Sequence, residues 1–177
     1  PQSDYVTPTE SDPNFQTLKP VYRDPYWVAS LEMDQWEDHI TPILVNFERF
    51  INYSFLDTVP EYDSFGISGW GPATEEMKVA TRDILAKIED VLDITFIETN
   101  DPKATNVISV STSNQAKTAG FSYFPNIFFE IGMDVFIDNE YSNPSFLSEL
   151  LTNYDYEVLV HEIGHALGLK HPFEANG

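Results

Sequence analysis

The stretch HEIGHALGLKH, from His161 to His171, constrains this chain more than any other. In an α-helix, residues four apart are rotated by about 400° and sit about 6 Å apart along the axis. His161 and His165 therefore present two imidazoles to one point, provided the segment is helical. Glu162 follows the first histidine directly and can reach a metal-bound water without being a ligand itself. A helix continued straight would carry His171 about 15 Å beyond His161, too far to share an ion. Gly168 resolves this, because glycine tolerates the left-handed conformation that stops a helix and turns the chain. The pattern predicts a helix over Tyr154–Gly168 with Asp155 as its N-cap, a structural turn at Gly168, and His171 folded back as a third ligand. On that helix Leu159, Ile163, Ala166 and Leu167 face the core.

Three neutral imidazoles suit one zinc ion with an open position, where a bound water loses its proton more easily and a carbonyl is polarised. HExxH alone arises by chance in roughly one chain of this length in a few hundred, and the added glycine and third histidine make coincidence rarer by a similar factor. The chain has four histidines, and three of them lie in this motif. The fourth, His39, sits in a polar stretch and reads as a surface residue. Cysteine is absent, so thiolate metal sites, cysteine nucleophiles and disulfide scaffolds are excluded.

Nine basic and 29 acidic residues give a formal charge of −20, a surface that repels nucleic acid and anionic membranes. Such a surface suits solubility in a salty or calcium-rich medium. Calcium is a conceivable second ion, but no EF-hand loop or glycine-aspartate repeat is present, and no residue is assigned to it. No apolar run approaches a membrane span, and PQSDYVTPTE lacks the pattern of a signal peptide. Twenty-nine acids make some carboxylate pair inevitable, so no pair points to a hydrolase of another kind; Asp155 and Glu157 read as cap or dipole partners.

Residues 1–26 hold five prolines among polar residues and read as an extended arm or linker. Residues 27–177 read as one domain. Ser30–His39 reads as a short helix carrying Leu31 and Trp36. Arg49–Phe55 alternates like a strand, and Tyr62–Pro72 reads as a glycine-rich loop. From Glu75 a helix follows, with Met77, Ala80, Ile84, Leu85, Ile88 and Val91 at helical spacing. Strands are predicted at Ile94–Thr99, Asn106–Ser111 and Gly120–Pro125, the last ending at a proline that favours an edge. Phe128–Asp138 reads as further strand, interrupted near Gly132, and residues 141–153 as a loop or short helix.

The full zinc motif is the one that defines metzincin metallopeptidases, and HEIGHALGLKHP, with Pro172 after the third histidine, resembles the serralysin branch (family M10). The strand at INYSF, the helix before ITFIET, and the GFSYFP and GMDVFID segments resemble that family at pattern level, over about Trp36–Phe173. The resemblance implies an α+β, metzincin-like catalytic domain: a twisted, mostly parallel five-stranded sheet with an antiparallel edge strand and two long helices. It implies a secreted zinc endopeptidase that cleaves protein or peptide substrates, with Glu162 as general base and His161, His165 and His171 on the metal. It also implies that an extended peptide adds to the edge strand near Phe121, Ser122, Tyr123 and Phe124. A plain aromatic core strand is the other reading of that segment.

Two departures from the pattern matter. Metzincins carry a methionine-containing turn below the zinc, downstream of the third histidine. Met33, Met77 and Met133 all lie upstream. The calcium-binding C-terminal repeat domain is missing as well, so residues 27–177 resemble the upper catalytic subdomain. One expectation is therefore an endopeptidase completed by a second polypeptide that carries the Met-turn, after a cut near Glu174–Gly177. The other is an inactive or incomplete fragment that serves as a binding module, with zinc in a structural role.

Overall fold

The structure, a computed structural model, describes residues 49–61, 67–101, 104, 107–125, 130–142 and 154–172. The arm at 1–26, the helix expected at Ser30–His39 and His39 itself lie outside the described residues, as do parts of the segments expected at 62–72, 128–138 and 141–153.

The described chain forms a mixed α/β layer with a mostly parallel sheet and two helices. In chain order the strands are β1 (Phe50–Ser54), β2 (Gly71–Pro72), β3 (Thr95–Glu98), β4 (Val107–Ser113), β5 (Gly120–Ser122) and β6 (Val135–Asp138). The helices are α1 (Glu75–Glu89), between β2 and β3, and α2 (Tyr154–Ala166), after β6. The main path runs β3-β1-β4-β6-β5. Its first three pairings are parallel, and β5 joins β6 antiparallel at the end of the path. A sixth strand departs from the expected five. Gly71 and Pro72, read from sequence as loop, pair antiparallel with Thr112 and Ser111 of β4, on the edge of β4 that β1 leaves open past Ser109.

Strand alternation sorts the two faces. Ile51 and Tyr53 of β1, Ile108 and Val110 of β4, and Val135 and Ile137 of β6 share one face and are buried. Met77, Ala80, Ile84 and Leu85 of α1 and Leu159, Ile163 and Ala166 of α2 pack onto it. By the register of β5 with β6, Gly120 and Ser122 lie on this helix-bearing side and Phe121 on the other. The opposite face is also buried but polar, with Ser109, Ser111, Ser113, Asp134 and Asp138 around Phe136. Ser109 donates to Asp134 Oδ1 at 2.6 Å.

Local chemistry sets the helix ends. Thr74 caps α1 by accepting from the Met77 N–H at 3.2 Å, and Glu75 and Glu76 occupy the first turn, at the positive end of the dipole. α1 ends at Glu89, so Val91, placed by its spacing on the apolar face, lies past the helix and is exposed. The chain turns there to enter β3. α2 begins at Tyr154, which puts Asp155 in the first turn rather than at the cap. The interruption expected near Gly132 is a turn at Ile131–Met133, closed by the Asp134 N–H on the Ile131 carbonyl, and the strand starts at Val135.

Candidate metal centre

The histidines meet because α2 ends where it does. Gly168 has φ +95°, a left-handed backbone that disfavours side chains. Its N–H donates to the His165 carbonyl at 2.8 Å, and the Leu169 N–H donates to the Gly164 carbonyl at 3.0 Å. These two bonds are a Schellman motif, which satisfies the last helical carbonyls and reverses the chain. Three residues on, His171 stands beside the helix it has just left.

The Nε2 atoms of His161 and His171 are 2.9 Å apart, those of His161 and His165 3.0 Å, and those of His165 and His171 3.1 Å. Ligands about 2.0–2.1 Å from one tetrahedral zinc stand roughly 3.3–3.4 Å apart, so the triangle fits such an ion closely. Three ring nitrogens at this spacing repel one another unless a cation or protons sit between them. The Nδ1–H of His165 donates to the Leu169 carbonyl at 2.5 Å, which leaves its Nε2 lone pair facing the other two rings. Burial holds the His161 pKa below the usual histidine value, and the neighbouring His165 and His171 add to the effect. The neutral, ligating form is thereby favoured.

Glu162 is not one of the converging groups. It is buried, 6% exposed, on the side of α2 that faces β5. Its Oε2 accepts from Ser122 Oγ at 3.2 Å. Burial raises its pKa, while His165, Ser122 and His171 oppose the rise. Burial thus favours the protonated carboxyl more than in an exposed glutamate.

A cleft of about 650 Å³ runs between β5 and α2, and the three histidines and Glu162 open into it. Gly120, Phe121, Ser122 and Phe124 form one wall; Tyr154, Glu157 and Val158 continue the other back along α2. The expected peptide-binding segment splits in two. Phe121 stacks on Phe136 at 4.9 Å, and Tyr123 meets both rings edge-on at 5.6 and 6.3 Å, on the side away from the helices. Phe124 sets its ring edge-on to His165 at 5.5 Å, and Ser122 turns to Glu162. The backbone of β5 is equally divided. Ala119 accepts from Asp138 of β6 and Tyr123 bonds to Met133 and Asp134 just before that strand, which leaves the N–H and C=O groups of Gly120 and Ser122 on the outer edge.

No family model matches the chain. It is similar to a serralysin of Photorhabdus laumondii, 28% identical over 137 residues that cover 71% of this chain and 26% of the relative. A serralysin of Photorhabdus luminescens is 27% identical with the same shares covered. The metallopeptidase AprA of Pseudomonas marginalis is 28% identical over 130 residues, 71% of this chain and 27% of the relative. The chain is serralysin-like. It spans about a quarter of the length of the curated relatives it matches.

Two features of this serralysin-like site escaped the reading of the sequence. A Cβ on Gly120 would lie 3.0 Å from Glu162 Cγ and 3.1 Å from the Phe136 carbonyl oxygen, so the glycine lets α2 rest against β5. The hydroxyl of Ser122 turns to Glu162, 40 residues away. Neither contact has a local signature. The α2 wall did have one, since stepping back from His161 by three, four and seven residues reaches Val158, Glu157 and Tyr154.

Proposed function

We propose that this chain carries the catalytic centre of a zinc-dependent endopeptidase that hydrolyses peptide bonds of proteins. The observation that carries the proposal is the Nε2 triangle of 2.9–3.1 Å beside a buried carboxylate in an open cleft. The relatives, named serralysin and metallopeptidase, support it. In this reading His161, His165 and His171 hold one zinc. Zinc in such a site supplies Lewis-acid polarisation of a carbonyl and a lowered pKa for a bound water. Glu162 accepts the proton of the attacking water and passes it to the amine nitrogen as the C–N bond breaks. Its raised pKa suits both halves of that task. The outward N–H and C=O groups of Gly120 and Ser122 take up an extended peptide as an added strand, which lays the scissile bond along the cleft. Phe124 packs against His165 and limits how that ring tilts.

The resemblance extends the proposal to an exported enzyme. No helix among the described residues is long and apolar enough to cross a membrane. A second polypeptide draws no support from the relatives, in each of which the matched stretch is part of one longer sequence.

The test is hydrolysis of a denatured protein by the full-length, zinc-loaded protein and its Glu162→Ala variant. The variant is expected to keep one zinc and lose at least about 100-fold in rate. Equal rates, or no hydrolysis by the unaltered protein, would overturn the proposal.

A further inference from the structure

We infer that Ser122 is a positioning residue for Glu162, fixing which carboxylate oxygen faces the cleft. The inference rests on the endopeptidase reading and goes beyond it, because it assigns to the edge strand a task other than holding substrate.

Several observations converge on it. The register of β5 with β6 puts Ser122 on the helix-bearing side of the sheet. Its hydroxyl donates to Glu162 Oε2, the one hydrogen bond that carboxylate makes among the described residues. The last torsion of a glutamate is broad and nearly two-fold, so an unheld carboxylate samples many orientations. A bond to one oxygen selects among them and leaves Oε1 for the reaction. The methylene part of the same side chain is pressed into the space where Gly120 has no Cβ. Glu162 is therefore held at its stem by Gly120 and at its tip by Ser122, two residues of one strand. With its hydroxyl engaged in this way, Ser122 has only its backbone to offer a docked peptide, on the outer edge of β5.

The experiment uses the full-length, zinc-loaded protein with Ser122→Ala and Ser122→Thr, on a peptide substrate. The alanine variant is expected to lose about 10-fold in kcat, the scale of a lost hydrogen bond to a charged group, with KM within about two-fold. One zinc per chain is retained, and threonine, which keeps the hydroxyl, restores most of the rate. A second readout needs no turnover: the infrared carboxylate band of Glu162, assigned by difference from Glu162→Gln, shifts in Ser122→Ala and not in Ser122→Thr. An unchanged kcat, or a raised KM at unchanged kcat, overturns the inference, the latter because the side chain would then serve the substrate. An unshifted band sinks the Ser122 assignment alone. A shifted band in a protein whose Glu162→Gln variant is equally active sinks the endopeptidase reading, and the catalytic role of Ser122 with it.

Discussion

Gly120 shows how much of this site depends on an absent atom. A Cβ there would meet three groups at 3.0–3.2 Å: Glu162 Cγ, the Phe136 carbonyl oxygen and Ile137 Cδ1. The carbonyl belongs to the sheet and cannot step aside, so Glu162 or the whole of α2 must. Gly120→Ala is expected to cost roughly 1–3 kcal/mol, the usual range for overpacking a filled site. It should also reduce hydrolysis by the full-length protein more than zinc content, because the three atoms nearest the added Cβ include one of Glu162 and none of the histidines. Urea unfolding and metal analysis of the variant check both parts; a stability within about 0.5 kcal/mol of the parent would show that the helix yields freely. At this scale the sequence was unevenly legible. The histidines and Gly168 could be read because helical geometry relates residues a few positions apart. Gly120 and Ser122 could not be, because their partner is 40 or more residues away and only the folded sheet brings them to it.

At the scale of elements, α1 and β3 are tied by more than the core. Arg82 of α1 donates through Nε and Nη2 to both carboxylate oxygens of Glu98 on β3, at 2.7 and 2.8 Å, and stacks over Phe55 at 5.1 Å. The Arg82 hydrogen bonds hold the Glu98 pKa below its ordinary value of 4.5, with a smaller contribution from Tyr53. A carboxyl whose pKa is depressed on folding contributes stability that is fully present above its unfolded value and is lost as the pH falls through the folded value. Both side chains are more than a third exposed, so solvent limits the contribution to about 1 kcal/mol or less. Glu98→Gln is accordingly expected to lower unfolding free energy by up to that amount at pH 7, with the gap closing as the pH falls below the ordinary glutamate value of 4.5 and through the depressed folded value. A gap that persists in acid would assign the effect to packing instead. The elements themselves were readable where alternation or helical spacing ran uninterrupted, as in β1, β4 and α1. Misreadings fell where a turn interrupts the pattern. Val91 continues the spacing of α1 past its end and is exposed, whereas the break at Gly132 could be read, and Met133 beside it adopts φ +72° in the turn. Two-residue β2 is too short to leave a pattern at all.

For the whole molecule, the question is how far the metal site and the fold depend on each other. Leu159, Ile163 and Ala166 anchor α2 on the sheet through apolar burial, which needs no ion. His171 is different: it is exposed and stands beyond the end of the helix. The Schellman bonds hold the turn before it, and a shared cation would hold its ring against those of His161 and His165 on α2. Removal of zinc by a chelator is therefore expected to leave the sheet and both helices folded while loosening the segment after Gly168. Metal that binds only the folded chain stabilises by mass action, about 2.7 kcal/mol at 100 times its dissociation constant. In a chain of this size that corresponds to a fall of roughly 5–10 °C in melting temperature on chelation. Salt must be kept constant, because a chain of charge −20 changes stability with ionic strength on its own account. Hydrogen exchange locates the effect. Protection should drop at Leu169–His171 well before it drops in β4 or in the middle of α2. Loss of protection throughout α2 and the sheet would mean that the ion organises the core itself, and the three histidines would then be read first as a structural site.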